Sequence, residues 1–240
     1  MIDPLMLADN LAQVQRRMAA AATRARRDPA DVTLVAVSKG QPAAAIQAAY
    51  QLGVRDFGES YLEEALPKIA DVTDWLAAHG AAADPIRWHL VGHLQSRKAG
   101  RAVGPFALIH SVDRVKIAYK LSQLAGQAAL SVPILLEVNA AAEPSKYGFT
   151  WDAVGQAVPA VAGLPGLSLA GLMTIAPIVA HAELARPVFQ RLYALRAALH
   201  AQYPAANWRH LSMGMTDDFE VAIEEGATLV RIGRAIFGER

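Results

Sequence analysis

Apolar residues recur along this chain in two alternating rhythms. Near the amino terminus Leu7, Leu11, Val14, Met18 and Ala21 fall three or four apart, one stripe of an amphipathic helix. Asp3 caps it, Pro4 opens it, and it ends near Arg27. Leu34-Val35-Ala36-Val37 then breaks that rhythm: four apolar residues in a row, two of them β-branched, read as a strand buried on both faces, with Lys39 at its carboxyl end. Residues 42–52 read as a helix closed by Gly53, 54–59 as a second strand, and 60–72 as a helix that Pro67 bends or breaks. Further strands are predicted at 87–91, 107–112, 134–139, 169–175, 209–213 and 228–233. Helical patterns lie between them, the clearest placing Leu184, Val188, Leu192, Leu195 and Leu199 on one face. The stretch 77–84 reads as a loose surface loop.

Eight strands alternating with helices within 240 residues predict an α/β fold, a single (β/α)₈ TIM-type barrel with one extra amino-terminal helix, spanning 1–240 as one domain. A doubly wound open sheet is the alternative.

Composition narrows the function. Charges nearly cancel, 23 basic against 22 acidic residues, so the footprint of a nucleic-acid or membrane-surface binder is missing and a small ligand is expected. The absence of cysteine removes disulfides, thiolate zinc sites and cysteine nucleophiles together. Met1-Ile2-Asp3-Pro4 lacks the basic and apolar regions of a secretion signal, and no apolar run is long enough to span a bilayer, so a soluble cytoplasmic protein is expected. Only six lysines stand among the basic residues, which leaves few candidates for amine chemistry.

In a parallel barrel the carboxyl ends of the strands converge on one mouth. There this sequence places Lys39, Glu59 and Ser60, His93 and Gln95, Ser111 and Asp113, Asn139, Thr174 and Pro177, Ser212 and Gly214, and Gly233 and Arg234. Lys39 is either a nucleophile or a lysine whose stem packs while its ammonium reaches water. Ser212 and Gly233 either hold an anion, as the loops after the last two strands do in many barrels, or only shape turns. Thr216 reads as a helix N-cap before Asp217-Asp218. His89 and His93 fall on a strand running into a loop with no glutamate between them, so the zinc-protease arrangement fails and no metal is expected. Neither a serine elbow nor a Walker-type phosphate loop is present. A lysine after strand one, facing an anion cradle after strands seven and eight, is the arrangement that pyridoxal 5'-phosphate needs: an amine for its aldehyde and a hold for its phosphate.

Taken in order, Val35-Ala36-Val37-Ser38-Lys39, Phe57-Gly58-Glu59, Trp88-His89-Leu90-Val91-Gly92-His93-Leu94-Gln95-Ser96, Leu211-Ser212-Met213-Gly214-Met215-Thr216-Asp217-Asp218 and Val230-Arg231-Ile232-Gly233 resemble the pyridoxal phosphate homeostasis protein family. That family is related to the amino-terminal barrel of bacterial alanine racemase, and the resemblance covers residues 5–240. It implies a Schiff base with pyridoxal phosphate on Lys39, cofactor contacts from Ser60, a phosphate held by Ser212, Gly233 and Arg234, and Arg231 beside the ring nitrogen. An arginine does not give up its proton, so a ring paired with it is a weak electron sink. Ser60, Arg97, Tyr147 and Arg234 depart from the family's usual asparagine, asparagine, serine and threonine, and at Arg234 the hydroxyl contact to phosphate is lost.

The chain stops at Arg240, directly after the last helix, so the racemase's second domain and its opposite base are not expected. The resemblance therefore implies a non-catalytic, monomeric carrier that supplies the cofactor to apoenzymes. The alternatives are a slow amino-acid racemase or lyase, with Tyr61, Tyr147 or His93 as second base, and a cofactor-free barrel enzyme acting on a phosphorylated metabolite. Lys146 is a candidate second acceptor for the aldehyde, and Lys116 and Lys120 are expected in solvent.

Overall fold

The computed structural model describes residues 3–141 and 147–239. The predicted strand segments become eight parallel strands: β1 (Thr33–Val37), β2 (Asp56–Glu59), β3 (Arg87–Leu90), β4 (Leu108–Val112), β5 (Val132–Val138), β6 (Leu167–Thr174), β7 (His210–Ser212) and β8 (Leu229–Ile232). Each pairs with the next, and β8 returns to β1, so the sheet closes into a barrel with no free edge. The open-sheet alternative is thereby excluded. Helices α1 (Pro4–Arg24), α2 (Ala43–Gln51), α3 (Leu62–Ala78), α4 (Val115–Gln127), α5 (Trp151–Ala162), α6 (Arg186–Gln202), α7 (Phe219–Glu224) and α8 (Arg234–Phe237) accompany the strands. Between β3 and β4 the connection is a 3₁₀ helix, Ser96–Arg101, in place of an α-helix.

The extra helix α1 buries the stripe expected of it, Leu7, Leu11, Val14, Met18 and Ala21. Its polar face is tied to the end of the chain. Arg17 meets Glu220 at 2.7 Å, Arg24 meets Glu224 at 2.7 Å, and the Asn10 amide donates to the Ile236 carbonyl.

Two helices differ from expectation. Helix α3 runs unbroken through Pro67 to Ala78, because Leu62, Ala65, Val72 and Leu76 on either side of the missing hydrogen bond are all buried against the barrel. It also absorbs the first two residues of the expected 77–84 loop. Helix α6 starts at Arg186, with Pro187 in its first turn, so Leu184 falls in the preceding 3₁₀ turn and is exposed. Phe189, Leu192 and Leu199 form the buried face instead, with Val188 and Leu195 packed at its margin.

Side chains alternate across the strands. Ala36, Phe57, Trp88, Leu90, Ile109, Leu136, Leu211 and Val230 face the helices in one large cluster. Val35, Leu108, Leu135, Ala170, Met173 and Leu229 form a separate small cluster inside the barrel. The spacing from Ala170 to Met173 is three, not two, because β6 carries a bulge: Ile134 pairs with Leu169, while the next residue, Leu135, pairs with Gly171. Gly171 has φ +141°, and a Cβ there would lie 1.9 Å from the His210 carbonyl oxygen.

Gly171→Ala therefore forces β6 away from β7, and a loss of about 3 kcal/mol or more is expected in urea unfolding. Gly126→Ala, inside α4 with nothing within 4 Å of the added methyl, is expected to leave stability unchanged or raise it by up to about 1 kcal/mol. Equal effects of the two substitutions would refute the bulge argument.

Candidate functional site

A cavity of about 580 Å³ opens at the carboxyl ends of β1 and β8 and of the loops beside them. Five of the six site residues expected from sequence converge on its wall: Lys39, Ser60, Arg231, Gly233 and Arg234. Ser212 does not line it.

Lys39 lies two residues past the end of β1, in a turn closed by the Gln41 N–H donating to the Ser38 carbonyl at 3.0 Å. Gly40, third in that turn, has φ +76°, a conformation that L side chains resist. The turn is held from below by Lys68 of α3. Its buried ammonium donates to the Ser38 carbonyl at 2.9 Å, to Glu59 Oε1 at 2.8 Å and to Glu64 Oε1 at 2.7 Å. The Ser38 hydroxyl donates to the same Glu59 oxygen at 2.7 Å, and the Gly40 N–H donates to Glu64. Both neighbours of Lys39 are thus tied to one cluster. Burial raises the Glu59 carboxyl above its ordinary value, while Lys68 and Ser38 oppose that rise. Lys68 and Glu64 were not anticipated as site residues; Lys68 falls on the inner face of an amphipathic helix, which is where a lysine is unexpected.

Arg231 reaches the wall from inside the barrel and is 5% exposed. Its Nη1 donates to Ser212 Oγ at 2.6 Å and its Nη2 to the Thr174 carbonyl at 2.8 Å. Burial lowers its pKa to about 10, against the attraction of Asp218 and Glu137. Ser212 is fully buried, its hydroxyl engaged with Arg231 and with His110 Nδ1 at 2.8 Å, so its side chain supports the arginine from beneath the cavity.

Other groups complete the wall on the Ser212 side. Met215, Thr216 and Asp217 line the cavity together with Gly233. Thr216 is not the helix cap: α7 begins at Phe219 with Asp218 before it, and the Asp218 carboxylate accepts from the Met215 N–H at 2.6 Å. A Cβ on Gly233 would lie 3.0 Å from the Val37 carbonyl, so glycine lets the ends of β8 and β1 close on each other. The Arg234 guanidinium makes two 2.6 Å bonds to the Asp217 carboxylate at the exposed rim, which largely neutralises the charge it could offer an anion.

The opposite side of the mouth is acidic and aromatic. His93 Nδ1 is 3.2 Å from Asp113 Oδ2, and the His93 ring stacks on Tyr147 at 3.4 Å. Burial lowers the His93 pKa and raises that of Asp113. Neither His93 nor Tyr147 nor the exposed Tyr61 lines the cavity. Glu137 of β5 is buried, one of its carboxylate oxygens has no hydrogen-bond partner, and burial, with nearby Asp113 adding, pushes it up to about 7. Among the described residues no group of three or more His, Cys, Asp or Glu could hold a metal ion, and no helix is long and apolar enough to cross a membrane. Lys146 lies outside the described residues.

Lys68→Met strands Glu59 without its counter-charge, and a loss of about 3–5 kcal/mol is expected in chemical denaturation. Glu137 gives a pH dependence of the opposite kind to an ion-paired carboxylate. The fold keeps its proton up to about pH 7, whereas the unfolded chain releases it near the ordinary 4.5, so its contribution falls as pH rises through that window. Glu137→Gln is therefore expected to stabilise the protein by up to about 3 kcal/mol at pH 8 and by nothing at pH 4. Unfolding curves of both forms across that range check this, and a pH-independent difference would contradict it.

Residues 9–240 match the alanine racemase N-terminal domain family. The pyridoxal phosphate homeostasis protein of Pseudomonas aeruginosa is 43% identical over 234 residues, covering 98% of this chain and 96% of that protein. The protein of the same name from Escherichia coli K12 is 39% identical, covering 98% and 97%. The solved structure of PipY from Synechococcus elongatus with PLP bound superposes with a TM-score of 0.81 at 35% identity, covering 97% of this chain and all of that one. The chain belongs to the pyridoxal phosphate homeostasis protein family, within the wider family of alanine racemase N-terminal domains.

Proposed function

We propose that this protein binds pyridoxal phosphate at the mouth of the barrel, with Lys39 as its covalent anchor, and serves pyridoxal phosphate homeostasis as a carrier of the cofactor. The observation that carries the reading is that Lys39 and the buried guanidinium of Arg231 share the wall of one cavity of about 580 Å³. Such a volume suits a small cofactor. The PLP-bound PipY and the names of the bacterial relatives support the same ligand.

Each residue has a task in this reading. Bound here, the cofactor supplies an aldehyde that a primary amine captures with loss of water, leaving it masked. Lys39 is the lysine among the cavity-lining residues, on a turn that the Lys68 cluster holds in place. Arg231 is a fixed donor and remains charged at neutral pH, so it serves an unprotonated ring nitrogen. That pairing withholds the electron sink that carbanion chemistry needs. Gly233, the Arg234 backbone and Thr216 hold the phosphate, Ser60 adds a contact at the rim, and Ser212 acts on Arg231 rather than on the phosphate. The protein works in the cytoplasm as a monomer and passes its cofactor to apoenzymes.

The expected result is a visible imine band on adding pyridoxal phosphate, trapped by borohydride on Lys39 in peptide mapping and lost in Lys39→Ala. A label on another lysine would overturn the anchor. Absence of any band would overturn the cofactor reading. Exchange of an amino-acid α-proton at a rate of about 1 s⁻¹ or more, within the ordinary enzyme range, would favour a racemase over a carrier.

A further inference from the structure

An uninterrupted chain of buried polar side chains crosses the barrel interior from Arg231 at the mouth to Asp56 at the amino-terminal end of β2. Ser212 Oγ accepts from Arg231 Nη1 at 2.6 Å and lies 2.8 Å from His110 Nδ1. His110 Nε2 lies 2.9 Å from His89 Nδ1, and His89 Nε2 lies 3.0 Å from Asp56 Oδ1. Every member is at least nine-tenths buried. At the far end Arg87, on the outer rim, donates to both Asp56 oxygens.

Donor and acceptor counting orients every proton in this chain. Arg231 has donors only, so Ser212 Oγ must accept, and the serine's own hydrogen has one acceptor among its described neighbours, His110 Nδ1. His110 therefore carries its proton on Nε2 and donates to His89 Nδ1. His89 in turn carries its proton on Nε2 and donates to the Asp56 carboxylate. The reverse direction leaves the Ser212 hydrogen without an acceptor and sets a histidine lone pair against a carboxylate, both costly in a buried site.

We infer that Asp56 is a positioning residue for the Arg231 guanidinium, acting across the barrel through His89, His110 and Ser212 in these fixed tautomers. This rests on the reading of Arg231 as the residue that faces the cofactor ring. Each hydrogen bond in such a chain polarises the next, so a carboxylate at one end makes Ser212 Oγ a stronger acceptor for Arg231 at the other. With Nη2 held by the Thr174 carbonyl, the guanidinium is fixed at two nitrogens. Charge states agree. Burial would raise the Asp56 carboxyl, but hydrogen bonds from His89 and Arg87 hold it below its ordinary value; burial drives His110 well below its own.

The test has two independent readouts. In the ligand-free protein, ¹⁵N NMR of the imidazoles is expected to show His89 and His110 both neutral and protonated on Nε2. A proton on Nδ1 of either ring, or a doubly protonated ring, would overturn the inference. In Asp56→Ala the His89 and His110 signals are expected to become tautomer mixtures, pyridoxal phosphate to bind about two- to thirtyfold more weakly, and its absorption band to shift. Lys39 should remain the borohydride-labelled residue. Asp56→Asn keeps an acceptor for His89 without the charge and is expected to retain the tautomers with a smaller band shift, which also serves if the alanine variant fails to fold. Arg87→Met, which removes only the outer ion pair, should leave the tautomers as they are. A folded Asp56→Ala with unchanged tautomers, or with an unchanged cofactor band and affinity, would overturn the inference. Failure of the unaltered protein to bind pyridoxal phosphate would instead strike the cofactor reading, while the ligand-free spectra still judge the hydrogen-bond chain.

Discussion

One buried ammonium organises the mouth of this barrel. Lys68 is 6% exposed, and a lone charge at that depth would be untenable without partners. It has three: the Ser38 carbonyl from the loop after β1, Glu59 at the end of β2, and Glu64 one turn earlier on its own helix. Because the acceptors come from different elements, satisfying the charge fixes those elements relative to one another. Lys39 inherits that order, standing between two residues whose backbone atoms are tied to the cluster. A lysine on an otherwise unconstrained turn would sample many orientations; this one is anchored at both shoulders.

The barrel interior has a second organising feature, since much of its cross-section is polar. The apolar filling on the inside is a cluster of six residues, and beside it run Arg231, Ser212, His110, His89 and Asp56. Such a chain is tolerable only when every donor and acceptor is paired, and its one-way direction follows from a guanidinium at one end and a carboxylate at the other. Glu137 sits near it with an unpartnered oxygen and a pKa about 7, so the interior also contains a group whose charge changes near neutrality. The two arginines at the mouth differ sharply: Arg231 is buried and held by neutral acceptors, whereas Arg234 is at the surface and spent on Asp217.

Strands such as β1, β5 and β6 were legible because parallel strands buried on both faces carry apolar runs, whereas the short, partly polar β2, β3 and β7 stood out by their place between helical patterns; all eight appear within a few residues of where the pattern placed them. Lys39, Ser60, Gly233 and Arg234 were legible for a related reason, since strand ends converge in any barrel, whereas Arg231, inside β8, was singled out by the family resemblance. Ser212 shows the limit of that logic. A residue at a strand end can point into the cavity or into the barrel beneath it, and the choice depends on which way alternation runs at the final residue of β7. Thr216 was missed as a cavity residue because its spacing before two aspartates imitates a helix cap, whereas the short α7 begins later.

By itself the sequence determined the order of elements, the alternating α/β class, the small-ligand class and the place of Lys39 at a strand end, because these depend on local periodicity and on residue chemistry that no packing alters; closure over the open-sheet alternative rests on β8 pairing with β1. Tertiary structure alone decided the bulge at Gly171, the three-way hold on Lys68, the pairing of Arg234 with Asp217, and the line of contacts from Asp56 to Arg231. Asp56, His89, His110, Ser212 and Arg231 come from five different strands and as many as 175 positions apart along the chain. Their hydrogen bonds exist only because closure of the barrel sets their alternating side chains face to face, a condition that no local pattern encodes.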